Sequence, residues 1–328
     1  MHHFPLAINF VHTGEWVAVD GHAFDDFLGT FAVSIFFMIS AYLFWGRCYS
    51  SEFNWIKLFI GRLFRIGPMF IVSSLCCWAV AYKFGSNRNI DILSIQDVFH
   101  WFDMGFTNIR PDMFGFKNSY LINAGVMWTL PLEWMFYLSL PLFSLITNNK
   151  TSLAVVLAAF FIDFYFYKDS NSLLSCLYAM FIMGALSFEI KNKIKTKINK
   201  SFLNAAGFLT FLISSILFID AKYTLFSSLI FGIFFLTVCL GGNPFGLLRV
   251  KGTIRLGDLS FSLYLTHAIS WYLFARVISK FDMSGHIFLY YILASIVFLL
   301  SCLLSSLTYY FIESKMIQAG KSIQTKYF

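Results

Sequence analysis

One carboxylate stands inside the apolar run at 125–143 (GVMWTLPLEWMFYLSLPLF): Glu133, which follows Trp128 in the same run. At the centre of a membrane helix a carboxylate costs about 2.5–3.5 kcal/mol on insertion scales, so it needs a partner or a task. Pro131 and Pro141 in the same run also free backbone groups that a neighbour must satisfy. The residues able to answer Glu133 are the imidazoles and guanidiniums of the other apolar runs. His267 sits in LGDLSFSLYLTHAISWY with Ser260, Ser262 and Tyr264 on its approach. At that depth an imidazole can be a base, a proton relay or a strut bonded to a neighbouring helix. Arg62 and Arg65, in FIGRLFRIGPMF, share a helix face by their i, i+3 spacing. Two guanidiniums so placed suit bidentate contacts to a phosphate or pyrophosphate; the competing reading is a pair of headgroup anchors. His2 and His3, in MHHFPLAINF, read in isolation as residues of a terminal tail.

The remaining polar residues of the apolar runs have plainer readings. Glu189 adjoins the basic run 191–200 and reads as its surface partner. Asp163 reads as reaching the interface at the outer end of its run. Gly241-Gly242-Asn243-Pro244 is a turn rather than a nucleotide loop, because no GK[ST] follows.

The elements that must position these groups are membrane helices. The chain of 328 residues is 58% hydrophobic and 12% charged, with 42 phenylalanines, against roughly 45–50% apolar for a soluble domain. Such a chain cannot cover itself with polar surface, which makes it an all-α, polytopic transmembrane bundle. The net charge of +7 is carried by loops that set topology, so no nucleic-acid partner is implied. The six cysteines lie in or beside apolar runs with no CxxC spacing; they read as small hydrophobes, with no disulfide and no metal site.

Residues 1–27 carry four carboxylates and neither Lys nor Arg, so they are no signal peptide and read as an extracytoplasmic N-terminal segment. Nine apolar runs follow within 28–312: near 28–46, 64–82, 125–146, 152–167, 173–190, 202–219, 223–241, 257–279 and 286–312. Each is close to the roughly 20 residues needed to cross the hydrocarbon. Residues 313–328 are a cytoplasmic tail. Alternate connections carry Arg47/Lys57/Arg62/Arg65, Lys150, the lysines of 191–200, Arg249/Lys251/Arg255, and the tail lysines. The intervening connections are mixed or acidic: Lys83 to Lys117 with Asp91, Asp97, Asp103 and Asp112, then Lys168/Asp169, Asp220/Lys222 and Lys280/Asp282. The positive-inside rule makes the first set cytoplasmic, which leaves residues 1–27 outside with no preceding helix. An absent initial helix is the expected reason.

Four segments together resemble the acyltransferase 3 family of membrane acyltransferases, which O-acylate cell-surface polysaccharides and related glycans. FAVSIFFMISAYLF is similar to that family's FF-x-x-SG-(Y/F)-L helix, with Ala41 where Gly is usual. RLFRIGP is similar to its R-x-x-R-I-x-P segment through Arg62, Arg65, Ile66 and Pro68. MWTLPLEWMFYLSLPL resembles W-(S/T)-L-x-x-E-x-x-F-Y-L-x-x-P through Trp128, Thr129, Leu130, Glu133, Phe136, Tyr137, Leu138 and Pro141. LGDLSFSLYLTH resembles LG-x-x-S-(Y/F)-S-(L/I)-YL-x-H, ending on His267. The implied fold has ten helices with both ends cytoplasmic, of which 28–312 supplies helices two to ten. MHHFP resembles the residues at and after a His of the family's first helix; His2 fits that family's H-x-(F/x)-P spacing slightly better than His3, and both stay open.

The resemblance implies a multi-pass protein of the bacterial inner membrane. It implies an acyl-CoA donor, acetyl-CoA being the leading candidate, a glycan or polysaccharide hydroxyl as acceptor, and no bound cofactor. Arg62 and Arg65 would bind the CoA phosphates. His2 or His3 would be general base or acyl carrier, and Glu133 would orient that imidazole or stabilise its protonated form. Trp128 would stack on a sugar or pack the wall, and His267 would be a secondary relay or structural bond. Topology sets the arginines on the cytoplasmic side and the histidine near the outer face, apart by much of the ~30 Å hydrocarbon. Two other readings stay open: a transporter of a glycan or small acid using Glu133 and His267, and an inactive truncated family member.

Overall fold

In hydrocarbon an apolar run satisfies its own backbone by coiling into a helix, and all nine expected spans are helical. The computed structural model describes residues 3–17, 22–50, 53–89, 94–170, 172–194, 198–219, 223–279 and 287–327. The nine are α2 (Ala23–Phe44), α3 (Trp55–Phe84), α5 (Leu130–Ser144), α6 (Ser152–Ser170), α7 (Leu173–Lys193), α8 (Lys200–Leu217), α9 (Leu225–Cys239), α11 (Ser260–Ile278) and α12 (Ile287–Thr308). Four further helices were not expected: α1 (His3–Thr13), α4 (Ile95–Phe102), α10 (Lys251–Asp258) and α13 (Ser314–Tyr327). Among the described residues there is no β-strand. Among these described residues, five stretches are long and apolar enough to cross a membrane: Ala23–Tyr49, Trp55–Phe84, Leu173–Lys193, Lys200–Leu217 and Tyr291–Tyr327. Helices α5 and α9, at 15 residues each, fall short of the roughly 20 a perpendicular span needs. His2 and the loop charges Asp20, Asp91, Lys195, Lys197, Asp220, Lys222, Lys280 and Asp282 lie outside the described residues.

The chain forms two compact units, and the division falls within α5. The first comprises Met1–Val19, Asn54–Trp134 and Arg255–Phe328. Its axis is α11, on which α1, α3 and α12 pack. Helix α3 begins at Asn54, whose side chain accepts from the amides of Ile56 and Lys57 and so satisfies two donors that a helix start leaves open. Helix α12 passes through a π-helical segment, Tyr309–Glu313, directly into α13. Where the sequence reading puts a tail, the chain is therefore helical, and α13 lies against the start of α3. The two approach closely at Gly320, where an added Cβ would sit 2.7 Å from Phe64 Cβ. Gln324 Nε2 also donates to the Lys57 carbonyl at 2.5 Å.

The second unit comprises Asp20–Phe53 and Met135–Ile254. Here α2 packs on α7, α7 also receives α6 and α9, and α8 packs on α9. The α2–α7 contact is tight because Gly184 presents no side chain to the backbone of Met38. Asp25 and Asp26 lie in the first turn of α2, where the helix dipole favours negative charge. Glu189 corrects its sequence reading. It is 2% exposed, accepts from Trp45 Nε1 at 2.9 Å, and meets Lys193 Nζ at 3.7 Å. A buried indole donor, rather than the basic loop alone, accounts for this carboxylate.

Candidate active site

His3 opens α1, and α1 is held by its apolar face. Phe4, Leu6, Ala7 and Phe10 are buried. Phe4 packs tilted against Trp271 at 5.0 Å and Phe10 against Tyr272 at 6.1 Å, centroid to centroid, both partner rings belonging to α11. At the far end His12 Nε2 lies 3.2 Å from the Ser279 carbonyl. The paired numbers rise together, so α1 runs parallel to α11. This corrects the expectation that His3 belongs to an unanchored tail. The signal was present in the spacing of Phe4, Ala7, Phe10 and Val11, an i, i+3 pattern behind a first-turn proline. It is short enough to be overlooked beside the long apolar runs.

The His3 ring lies 5.1 Å from the ring of His267 and 6.1 Å from that of Trp16, centroid to centroid. His267 is oriented by its own helix. Its Nδ1 lies 2.9 Å from the carbonyls of both Leu263 and Tyr264. Two carbonyls can only accept, so Nδ1 carries the proton, and in the neutral ring Nε2 is the basic nitrogen. These two contacts lie within α11 and fix the orientation of the ring.

One turn earlier on α11, the Tyr264 hydroxyl donates to the Val126 carbonyl at 2.6 Å and lies 2.7 Å from Thr129 Oγ1. These bonds tie the 3₁₀ turn Val126–Thr129, which carries Trp128, to the helix of His267. A second tie lies just upstream: Asn123 Nδ2 donates to Ser73 Oγ at 2.6 Å, and Ser73 donates to the Leu265 carbonyl at 2.7 Å. The segment before α5 turns sharply to reach these anchors. Ala124 and Gly125 both have positive φ, +48° and +65°, and a Cβ-bearing residue is uncommon in that region.

Glu133 is 4% exposed and lies in the first turn of α5. Its sequence context sets it about 1.5 turns beyond Trp128, in a run that starts near 125. The helix starts only at Leu130, so the N-terminal dipole and open amides favour the carboxylate. Pro131, in the same turn, gives up an amide that has no helical partner in any case. Trp134 then fixes the start of α5, with Nε1 donating to the Met104 carbonyl at 3.0 Å and the indole stacked at 4.5 Å on Phe106.

A cavity of about 390 Å³ opens beside this assembly, walled by Trp16, Tyr120, Trp128 and Met127 and rimmed by Asn108 and Arg110. Sequence reasoning missed Trp16, Asn108 and Arg110. Arg110 is held by Asp103, with Nη2 3.0 Å from Oδ1, and by the His100 carbonyl at 2.6 Å. Both charged side chains are almost fully enclosed, at 4% and 1% exposure. Burial pulls the guanidinium below its ordinary value, and the Asp103 carboxylate pulls it back up. Asp103 also accepts from the Gly105 and Thr107 amides and the Thr107 hydroxyl, so one carboxylate fastens the loop that forms the rim.

The arginines belong to a different set of contacts. Arg65 Nε lies 3.8 Å from Glu313 Oε1, and Ser262 Oγ donates to Glu313 Oε2 at 2.6 Å. Glu313 is fully buried, and the π segment that ends on it gives it this direction. The sequence reading ended its last span one residue short of it. Arg62 is half-buried one turn before Arg65 on α3. The two groups of residues meet on α11: Ser262 leads to the arginine side and His267 to the histidine side. Five residues of helix separate these positions by only about 7.5 Å along the axis.

Residues 1–308 match the acyltransferase domain of the acyltransferase 3 family. No curated protein and no solved structure matches the chain.

Proposed function

The chain belongs to the acyltransferase 3 family, and from that premise we propose that it moves an acyl group from acyl-CoA to a hydroxyl of a cell-surface glycan, acetyl being the group of choice. Arg62 and Arg65 bind the CoA phosphates, and Glu313 holds Arg65 in place until they arrive. The acceptor sugar enters the cavity between Trp16 and Trp128, whose flat faces suit the C–H faces of a pyranose. Asn108 and Arg110 offer donors to its hydroxyls. His3 takes the acceptor proton as the oxygen attacks the thioester carbonyl. The C–S bond then breaks, and the CoA thiolate leaves with that proton. Glu133 and His267 stabilise the positive charge that develops on the imidazole.

The observation that carries this reading is the contact of His3 with both His267 and Trp16, which joins the histidine pair to an aromatic cavity wall. The reading is tested by mass spectrometry of surface polysaccharide from cells carrying His3→Ala, His2→Ala, or Arg62→Gln with Arg65→Gln. His3→Ala should lower acylation by about 10²–10⁴-fold, the usual worth of a general base, with glycan export unchanged. The arginine double variant should raise the acyl-CoA concentration needed. Normal acylation in His3→Ala would remove it as the base, and lost export in the arginine variant would favour a transporter.

A further inference from the structure

The second unit holds a cavity of about 400 Å³ between α5, α6 and α7 that the acyl-transfer chemistry does not use. Its wall is apolar and rich in aromatic rings, among them Trp45, Phe143 and Phe181. Two of its lining residues, Ile162 and Phe166, are 58% and 61% exposed on the outer face of α6. The cavity therefore opens sideways, where a helix of this apolar composition faces hydrocarbon rather than water.

The polar groups on the wall are nearly all answered from within the protein. Trp45 donates to Glu189, and Ser139 Oγ donates to the Phe136 carbonyl at 2.7 Å. Asp163 differs. Its Oδ1 accepts from Ser175 Oγ at 2.6 Å, while Oδ2 is buried and, among the described residues, has no hydrogen-bond partner. Tyr178, one turn beyond Ser175 on α7, has among the described residues the weak acceptor Met135 Sδ, at 3.8 Å, as its hydrogen-bond partner. Asp163, near the outer end of its run, thus turns its carboxyl into a lateral, apolar cavity. A buried carboxylate oxygen costs free energy until a donor reaches it.

The geometry points to a lipid site: one membrane phospholipid with a primary-ammonium head, of the phosphatidylethanolamine class, with N–H donating to Asp163 Oδ2 and a chain lying along α6 towards Val156. Charge complementarity selects the head, and the lateral opening selects a lipid over a water-borne ligand. Asp163 to Val156 spans about 10 Å of helix, which leaves a length of acyl chain covered by the aromatic wall. Choline heads carry no N–H and fit the carboxylate less well.

The test is native mass spectrometry of the full chain released from nanodiscs holding equal phosphatidylethanolamine and phosphatidylcholine. The wild type should retain one lipid, with ethanolamine favoured about tenfold, a ratio equal to ~1.4 kcal/mol. Asp163→Asn keeps the shape and should bring the ratio to within about twofold, on the same scale. Ala159→Trp fills the cavity and should remove the retained lipid. Thermal unfolding of each variant in detergent reports whether it is folded, and the near-isosteric Asp163→Asn decides the matter if Ala159→Trp is not. Retention without head preference, or a preference unchanged in Asp163→Asn, would mean a shell of ordinary bilayer lipid and overturn the proposal.

Discussion

At the scale of the residue, Asp103 gathers several bonds at the rim of the cavity. It holds Arg110 and two amides, and both members of the ion pair are enclosed. Removing one partner of a buried pair leaves the other without compensation, a loss of about 3–5 kcal/mol. Asp103→Ala should therefore unfold at markedly lower temperature in detergent, whereas Asp103→Asn, which still accepts hydrogen bonds, should lose less than half as much. A matching loss in both would mean that the charge, and not the loop fastening, is what counts. This pair was illegible in the sequence. Its members are seven residues apart in a polar stretch, and nothing in that spacing says which of several carboxylates turns inward. Glu133, Arg65 and His267 were legible for the opposite reason: a charge or imidazole in an apolar run is conspicuous. Their partners were not, because contacts such as Arg65 with Glu313 join residues 248 positions apart, the difference of the two numbers.

At the scale of the element, the long helices were read correctly from apolar runs, and the short ones were not. Helices α1, α4 and α10 have 11, 8 and 8 residues, below the length at which an isolated helix is stable, so tertiary packing decides them. Helix α13 is decided by its seat on α3. At Gly320 a Cβ would lie 2.7 Å from Phe64 Cβ, an atom that cannot swing aside, while at Gly61 it would meet the Gln324 amide at 2.8 Å, the tip of a flexible side chain. Gly320→Ala should thus loosen α13 by about 1–3 kcal/mol, the usual cost of overpacking, and Gly61→Ala by less. Hydrogen exchange of Ser314–Tyr327 measures this; equal protection in both variants would refute the tight seat.

At the scale of the whole molecule, composition already declares a membrane bundle, and the chain is a multi-pass member of a membrane acyltransferase family. The two units could not be read from the sequence, because each is assembled from separated stretches and the boundary cuts through one helix. The loop charges still yield a test of topology. If the positive-inside assignment holds, a cysteine at Lys150 faces the cytoplasm and one at Lys168 faces outwards, with α6 between them. An impermeant maleimide on intact cells should label Lys168→Cys and spare Lys150→Cys. Labelling of both would mean that α6 does not cross.

The π segment between α12 and α13 gives the long final helix one residue of slack. A single extra residue in an α-helix turns everything beyond it by about 100°, unless a wider turn absorbs it. Tyr309–Glu313 is such a turn. Loss of one residue there would let the backbone close to ordinary α geometry with both flanking faces still in phase. The same loss within α13 would rotate Gly320 away from Phe64 and Gln324 away from Lys57. The join at the arginine–glutamate pair is thus the place where this helix can change length while α13 keeps its seat on α3.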